Sequence, residues 1–204
     1  PKEELLSFDE ILRTATLFAR LGVRKIKLTG GEPLLRPWIP ELVARLREIP
    51  GIEDLGLITN GHRLQALARR LRSAGLNRIT VSLDALDGDL FSRITGGRGR
   101  VATVIKGIEA AANAGFDPVK INVVVQRGVN EEQILPILQR FRHPPFIVRF
   151  IEFMDAGNRN GWRMDSVVPA SEIVERITDR FPAEPVDDNY SGEVAERYRF
   201  VDGS

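Results

Sequence analysis

The stretch Arg24–Pro33, which reads RKIKLTGGEP, decides how this chain folds. Its first half alternates apolar with polar side chains, since Ile26 and Leu28 belong to one side and Lys27 and Thr29 to the other. This alternation is typical of a β-strand whose two faces meet different surroundings. The glycine pair and the proline that follow predict a tight turn and the start of a helix. The stretch is therefore expected to form one strand, turn and helix of an α/β fold.

Four further runs rich in Val, Ile and Leu repeat this unit along the chain. Segments with helical periodicity separate them, which favours repeated βα units around a parallel sheet. The fold class is thus predicted to be α/β, with a partial βα barrel over residues 1–182 and the start of a C-terminal extension over residues 183–204. The five predicted strands lie at residues 24–29, 54–59, 78–84, 119–126 and 147–153.

The helix before the first strand carries clear boundary signals. Ser7 can accept a hydrogen bond from the start of the helix, and Glu10, three residues later, can return one, which is the capping-box pattern. Gly22 is expected to end the helix. The sequence therefore predicts a helix from Ser7 to Leu21.

Composition excludes several classes of function. The 29 Lys and Arg residues balance 28 Asp and Glu residues, so no overall charge draws the chain to nucleic acid or to an anionic membrane. No apolar run has the length of a membrane-spanning helix and no leader is recognisable, so the cytoplasm is the expected location. The absence of cysteine excludes disulfides and thiolate-bound metal within these residues, and no metal site is predicted. Because the chain starts at Pro1 and stops at Ser204, we expect it to be a segment of a longer polypeptide.

Three cations occupy positions within the predicted strands. Lys27, Lys120 and Arg149 each lie between apolar neighbours, where burial of an unpaired charge costs several kcal/mol. The pattern therefore predicts an anionic partner. This partner is either a phosphate- or carboxylate-bearing ligand in the centre of a barrel or the carboxylates of Asp84 and Glu152.

The turn Gly30–Pro33 offers a ligand site of its own. Two glycines let the backbone approach a ligand closely, and Glu32 can accept a hydrogen bond from an ammonium group. The same four residues also suit a plain strand-to-helix turn with the proline near the first helical position. The turn by itself leaves both interpretations open.

The sequence around this turn resembles the molybdenum cofactor biosynthesis protein A family of radical S-adenosylmethionine enzymes. The resemblance covers essentially the whole chain and implies an incomplete, TIM-like βα barrel, here without its first strand and cysteine loop. It also implies the GTP 3',8-cyclase reaction of molybdenum cofactor biosynthesis, in which a radical from S-adenosylmethionine abstracts hydrogen from the ribose of GTP to give 3',8-cyclo-7,8-dihydro-GTP. The matching blocks lie at residues 28–36, 51–57, 81–84, 119–122 and 149–155, and the match continues at Tyr190 and at residues 192–195 and 197–199.

The resemblance assigns ligand contacts but no catalytic residue. The contacts it implies for S-adenosylmethionine, the expected cofactor, are Gly30, Gly31, Glu32, Ser82 and Met154. The contacts it implies for GTP, the expected substrate, are Lys27, Lys120 and Arg149. The other partners it implies are a reductant, downstream enzymes of the pathway and a second copy of the chain in a homodimer, with neither nucleic acid nor membrane.

Two features depart from the family pattern. Lys27 falls where the family commonly has an arginine, which keeps the charge but loses the bidentate fork, and Ile58 replaces a common threonine. The family also carries two four-iron four-sulfur clusters whose cysteine ligands are absent from this chain. We therefore expect these residues alone to be inactive.

Three other functions stay open at this point. The chain could be a different radical S-adenosylmethionine enzyme with a peptide or tetrapyrrole substrate, which would not prefer GTP. It could be a βα-barrel lyase in which Lys27 or Lys120 forms a Schiff base that borohydride traps. It could also be a nucleotide-binding module without catalysis.

Overall fold

Five parallel strands form the central sheet, as a computed structural model shows for residues 5–154, 162–187 and 195–203. The strands lie side by side in the order of the sequence. The predicted α/β fold is confirmed, and each predicted strand end lies within two residues of the observed one. The strands are β1 (Lys25–Leu28), β2 (Asp54–Thr59), β3 (Arg78–Ser82), β4 (Val119–Val125) and β5 (Phe146–Glu152).

Helices connect these strands. The longest of them have 13 residues, and within the described ranges none has the length and apolar character needed to cross a bilayer. The helices are α1 (Phe8–Arg20), α2 (Ile39–Arg47), α3 (Leu64–Ser73), α4 (Gly88–Ile94), α5 (Val101–Asn113), α6 (Ile134–Phe141) and α7 (Ala170–Thr178).

The hydrophobic core lies between the sheet and the helices. Crossover connections between parallel strands are right-handed, so strands that follow one another in sequence order place all their helices on the same face. Leu57, Val81 and Ile121 are almost completely buried in one cluster with Val104 and Ile108 of α5. Burial of an aliphatic side chain contributes about 1.5–3 kcal/mol, so this layer holds the sheet in place. The other face of the sheet carries polar side chains together with Ile58, Val124, Ile147 and Ile151, none of which is fully buried.

The capping box at the start of α1 is confirmed. The Ser7 hydroxyl accepts a hydrogen bond from the Glu10 amide at 3.2 Å, and Glu10 Oε2 accepts one from the Ser7 amide at 2.7 Å. The hydrogen bond from the Ser7 backbone lowers the pKa of the Glu10 carboxyl below its ordinary value. At the other end, Gly22 adopts φ 95°, which ends the helix as predicted.

The predicted third strand extends two residues too far. β3 ends at Ser82, although the Leu83 amide still donates to the Asn122 carbonyl of β4 at 2.9 Å. The Asp84 carboxylate then accepts a hydrogen bond from the Val124 amide at 2.8 Å. A side chain thus replaces the backbone ladder there, which ends regular pairing.

A separate antiparallel pair follows the main sheet. It consists of β6 (Ala183–Val186) and β7 (Arg197–Phe200). Arg142, next to the end of α6, lies over the rings of Phe181 and Phe200 at 5.0 and 5.9 Å from their centroids. The division into a barrel core and a C-terminal extension at residue 182 stays a prediction.

Candidate ligand-binding site on the open face of the sheet

The three cations identified in the sequence lie on one face of the sheet. Residues that pair across neighbouring strands project to the same side, and the register links Lys27 through Gly56 to Arg78. It also places Lys120 beside Thr80, two residues further along β3. On β5 the pairing of Asn122 with Arg149 puts that arginine on the same side. This face is the one turned away from the buried apolar side chains, and the name open face is used for it below.

The cations on the open face are more accessible than the sequence suggested. Lys27 and Arg149 are exposed and Lys120 is half-buried. The expectation that they are buried between apolar neighbours is therefore wrong for Lys27 and Arg149, because their apolar neighbours along each strand point to the other face. These two side chains bear no desolvation cost until a ligand covers them.

The two carboxylates expected as alternative partners are engaged elsewhere. Asp84 accepts from the Val124 amide, and Glu152 Oε1 accepts from the Ala170 amide at the start of α7 at 2.7 Å. Among the residues that the structure describes, Lys27 and Arg149 form no ion pair with a carboxylate. Internal pairing thus does not account for these two charges.

Asn122 adds a polar group that the sequence interpretation did not list as a site. It lies between Ser82 and Arg149 in the register of the open face. Its Oδ1 atom is buried and accepts no hydrogen bond within the described ranges. An unsatisfied buried acceptor costs about 1–3 kcal/mol, so such atoms are rare unless a ligand or water bonds to them. The only signal in the sequence was the position of Asn122 on the polar side of β4.

The glycine turn lies at the carboxyl end of β1. Gly30 adopts φ 136°, a backbone conformation that residues other than glycine rarely adopt. A Cβ atom built at Gly30 or at Gly31 would have no neighbour within 4 Å in the described ranges beyond the adjacent residues of the chain, so open space lies beside this backbone. Pro33 begins a short 3₁₀ helix at Pro33–Leu35, as the strand-to-helix interpretation predicted. The turn therefore fits both interpretations, because a structural turn can also expose its backbone.

The Glu32 side chain is bonded to the protein itself. Its Oε1 atom accepts from the Leu34 amide at 2.9 Å and from the Thr59 hydroxyl at 2.7 Å. Its Oε2 atom accepts from the Asn60 amide at 2.7 Å. Glu32 thus ties the turn after β1 to the turn after β2, a role that the sequence did not reveal. Contact between Glu32 and the amino group of a ligand stays a prediction.

Ser82 borders a cleft of about 240 Å³ at the end of β3. Phe91 and Ile94 of α4 form apolar parts of its wall, and Asp84 contributes a carboxyl group. Burial raises the pKa of the Asp84 carboxyl above its ordinary value, and the hydrogen bond from Val124 opposes this rise only in part. The exposed Ser82 hydroxyl therefore lies next to a partly apolar cavity at the same edge as the glycine turn.

Met154 follows β5 and is 66% exposed. Because β5 runs parallel to the other strands, Met154 also belongs to the carboxyl edge of the sheet, where ligands of βα barrels bind. The remainder of its sequence block, Asp155, lies outside the described residues, as do Tyr190 and residues 192–194 of the continued match.

Comparison with known proteins identifies the class to which this fold and site belong. The family model described as Radical SAM superfamily matches residues 1–141. The chain therefore belongs to the Radical SAM superfamily.

Within this superfamily, the chain is similar to relatives of one particular kind. A GTP 3',8-cyclase of Xanthomonas axonopodis pv. citri is 54% identical over 202 residues, which are 99% of this chain and 60% of the relative. A GTP 3',8-cyclase of Acidothermus cellulolyticus is 51% identical over 203 residues, which are 100% of this chain and 56% of the relative. The predicted resemblance to this family is confirmed. The chain spans about 60% of the length of the curated relatives it matches.

Solved structures agree on the fold. Coproporphyrinogen III oxidase from Escherichia coli, described as a radical SAM enzyme, gives a TM-score of 0.59 at 14% identity, over 84% of this chain and 44% of that chain. Methylornithine synthase gives 0.62 at 18% identity, over 85% of this chain and 52% of that chain. These likenesses confirm the predicted fold, and the match to the family model assigns it to the radical S-adenosylmethionine type.

The superfamily implies two bound groups, S-adenosylmethionine and an iron–sulfur cluster. The residues of this chain suit the first but not the second. S-adenosylmethionine suits the open backbone of the glycine turn and the Asn122 oxygen, which accepts no hydrogen bond from the described part of the chain. An iron–sulfur cluster needs cysteine thiolates, and the sequence contains no cysteine. These 204 residues therefore supply no thiolate ligand to a cluster.

Proposed function

We propose that this chain is the S-adenosylmethionine- and GTP-binding part of a GTP 3',8-cyclase in molybdenum cofactor biosynthesis. One structural observation carries the proposal: Lys27, Lys120 and Arg149 share the open face, and the glycine turn stands at its carboxyl edge. Relatives with this name are about half identical over almost the entire chain, which supports the same assignment.

The open face suits the triphosphate of GTP. Lys27 and Lys120 lie on strands three positions apart, which corresponds to about 14 Å along a sheet. An anion that spans the strands between them would be attracted to both ammonium groups. Arg149 on the adjacent strand can add bidentate hydrogen bonds to a phosphate. We propose that these three side chains hold the triphosphate, which leaves the ribose and base free to extend along the sheet.

The carboxyl edge suits S-adenosylmethionine. The Gly30–Gly31 backbone can lie against its amino acid part, because no Cβ keeps it away. Ser82 and Asn122 offer a hydroxyl and an amide for polar groups of the ligand, and Met154 offers an exposed apolar surface. When bound, S-adenosylmethionine supplies the radical chemistry, and the residues of this chain hold it beside GTP.

Further properties of the enzyme belong to the same proposal. The two four-iron four-sulfur clusters, the reductant, the homodimer and the downstream enzymes are proposed on the likeness to the cyclase family. The cytoplasm is the proposed location, because a highly charged nucleotide does not cross a bilayer unaided.

The test uses the complete polypeptide encoded by the gene, reconstituted anaerobically with iron and sulfide. With reductant, S-adenosylmethionine and GTP, it should release 5'-deoxyadenosine together with the cyclised nucleotide. Lys120→Met should reduce turnover at limiting GTP by about 10-fold or more, the size of a charged hydrogen bond. Lys106→Met, which removes an exposed charge from α5, is the matched control and should leave turnover unchanged. Release of 5'-deoxyadenosine that is the same with and without GTP would contradict the proposal.

A further inference from the structure

We infer that Glu32 and Thr59 are positioning residues that hold the Gly30–Gly31 turn in its ligand-binding shape through hydrogen bonds between the ends of β1 and β2. The inference rests on the proposed function, because it concerns the S-adenosylmethionine site of the same enzyme. It departs from the expectation that Glu32 acts by touching the ligand.

The glycine turn needs an external support. Two adjacent glycines have the largest backbone freedom of any residue pair, and fixing one residue costs about 1–2 kcal/mol in conformational entropy. Apart from its chain neighbours, a Cβ at Gly30 or Gly31 would meet no atom of the described residues within 4 Å, so no distant side chain among them packs there. Their shape must therefore be held by hydrogen bonds of the residues next to them in the chain.

Glu32 connects the glycine turn to the end of the adjacent strand, β2. One of its three accepted hydrogen bonds, from the Leu34 amide, closes its own turn. The other two, from the Thr59 hydroxyl and the Asn60 amide, come from the end of β2. The carboxylate therefore joins two loops that lie 27 residues apart in sequence.

The anchor at the end of β2 is buried. Thr59 is 2% exposed, so it cannot reach a ligand on the surface of the sheet. Its hydroxyl also accepts a hydrogen bond from the Gly61 amide at 3.0 Å. Gly61 is enclosed, because a Cβ there would lie 2.9 Å from Val81 and 3.0 Å from Val104. The connection thus runs from the hydrophobic core through Gly61, Thr59 and Glu32 to the glycine turn.

Substitution of Thr59 distinguishes a role in positioning the glycine turn from direct contact with S-adenosylmethionine. Thr59→Val keeps the shape of a buried side chain but removes the hydroxyl, and it should weaken S-adenosylmethionine binding by roughly 10-fold, the size of a lost hydrogen bond to a charged group. GTP affinity should change less than about twofold, since the phosphate-binding cations stand on other parts of the open face. Thr59→Ser should restore S-adenosylmethionine affinity. Thr178→Val is the matched control, because the Thr178 hydroxyl donates to Val174 within α7.

A second pair of variants tests the route through Glu32. A glutamine at position 32 cannot accept all three hydrogen bonds, because one of its terminal atoms is a donor. Glu32→Gln should therefore weaken S-adenosylmethionine binding, and adding Thr59→Val should weaken it little further, because both changes break one network. Fully additive losses would show that the two residues act separately and would overturn the inference.

The measurement is equilibrium binding of S-adenosylmethionine and, separately, of GTP to the complete, cluster-reconstituted polypeptide. Circular dichroism and the melting temperature establish that each variant is folded, and Glu32→Gln carries the test if Thr59→Val does not fold. If the parent protein binds no S-adenosylmethionine, the proposed function fails. If the parent binds it and Thr59→Val binds equally well, the proposed function stands and the positioning role fails.

Discussion

Replacement of Lys27 by methionine should weaken GTP binding by about 10- to 150-fold. The size follows from the position of the side chain. Lys27 is exposed, and within the described residues it has no ion pair, so the free protein loses almost nothing when its charge is removed. When a triphosphate covers it, the same ammonium makes a charged hydrogen bond worth about 1.5–3 kcal/mol, and each 1.4 kcal/mol is about tenfold in affinity. An ion pair that stayed exposed would contribute only about 0.2–1 kcal/mol, or fivefold at most.

The assay is calorimetric titration of GTP into the complete polypeptide at two salt concentrations. Lys106→Met removes the same charge from the helix side and should change the affinity less than about twofold at either concentration. Lys27→Arg should match or exceed the parent affinity, because the guanidinium can bond to a phosphate through two N–H groups. Equal losses for Lys27→Met and Lys106→Met would refute the reasoning, since overall charge alone would then explain the effect.

Two further predictions concern the open face and its edge. Asn122→Leu should raise the melting temperature by a few degrees, because it removes a buried acceptor that costs about 1–3 kcal/mol, while weakening ligand binding. Unchanged S-adenosylmethionine and GTP affinities in a stabilised Asn122→Leu protein would show that this oxygen serves no ligand. Burial raises the folded-state pKa of Asp84, so the native state holds the extra proton and the free energy of unfolding falls as pH rises from 3.8 through that raised pKa. Asp84→Asn keeps an acceptor for Val124 and should abolish this fall, so it should melt higher than the parent at neutral pH. Thermal melts of the parent and of Asp84→Asn across this pH range measure the fall in stability. A lower melting temperature of Asp84→Asn than of the parent at neutral pH would contradict the predicted direction.

The sequence predicted the sheet because strand patterning is a local property. The alternation of Ile26, Lys27 and Leu28 already specifies the two faces of the strand. The apolar side chains face the helices, and Lys27 belongs to the open face. The capping box at Ser7 and Glu10 is equally local, since its two hydrogen bonds span three residues. The ends of the strands were therefore predicted to within two residues of the observed ends.

The limits of prediction appear where contacts are distant in sequence. The bonds of Glu32 to Thr59 and Asn60 cross 27 and 28 residues, and no spacing rule connects those positions. The exposure of Lys27 and Arg149 was also misjudged, because neighbours along a strand say nothing about what covers the opposite face.

The amino-acid sequence by itself determined the order of strands and helices, the side to which each strand residue points and the chemical character of the glycine turn. Only the tertiary structure decided which of those groups meet. Pairing of the five strands brought Lys27, Lys120 and Arg149 onto one surface, left the Asn122 oxygen without a donor among the residues that the structure describes, and gave the Glu32 carboxylate its partners. The physical reason is that side-chain direction depends on local backbone geometry, whereas proximity depends on how distant segments pack.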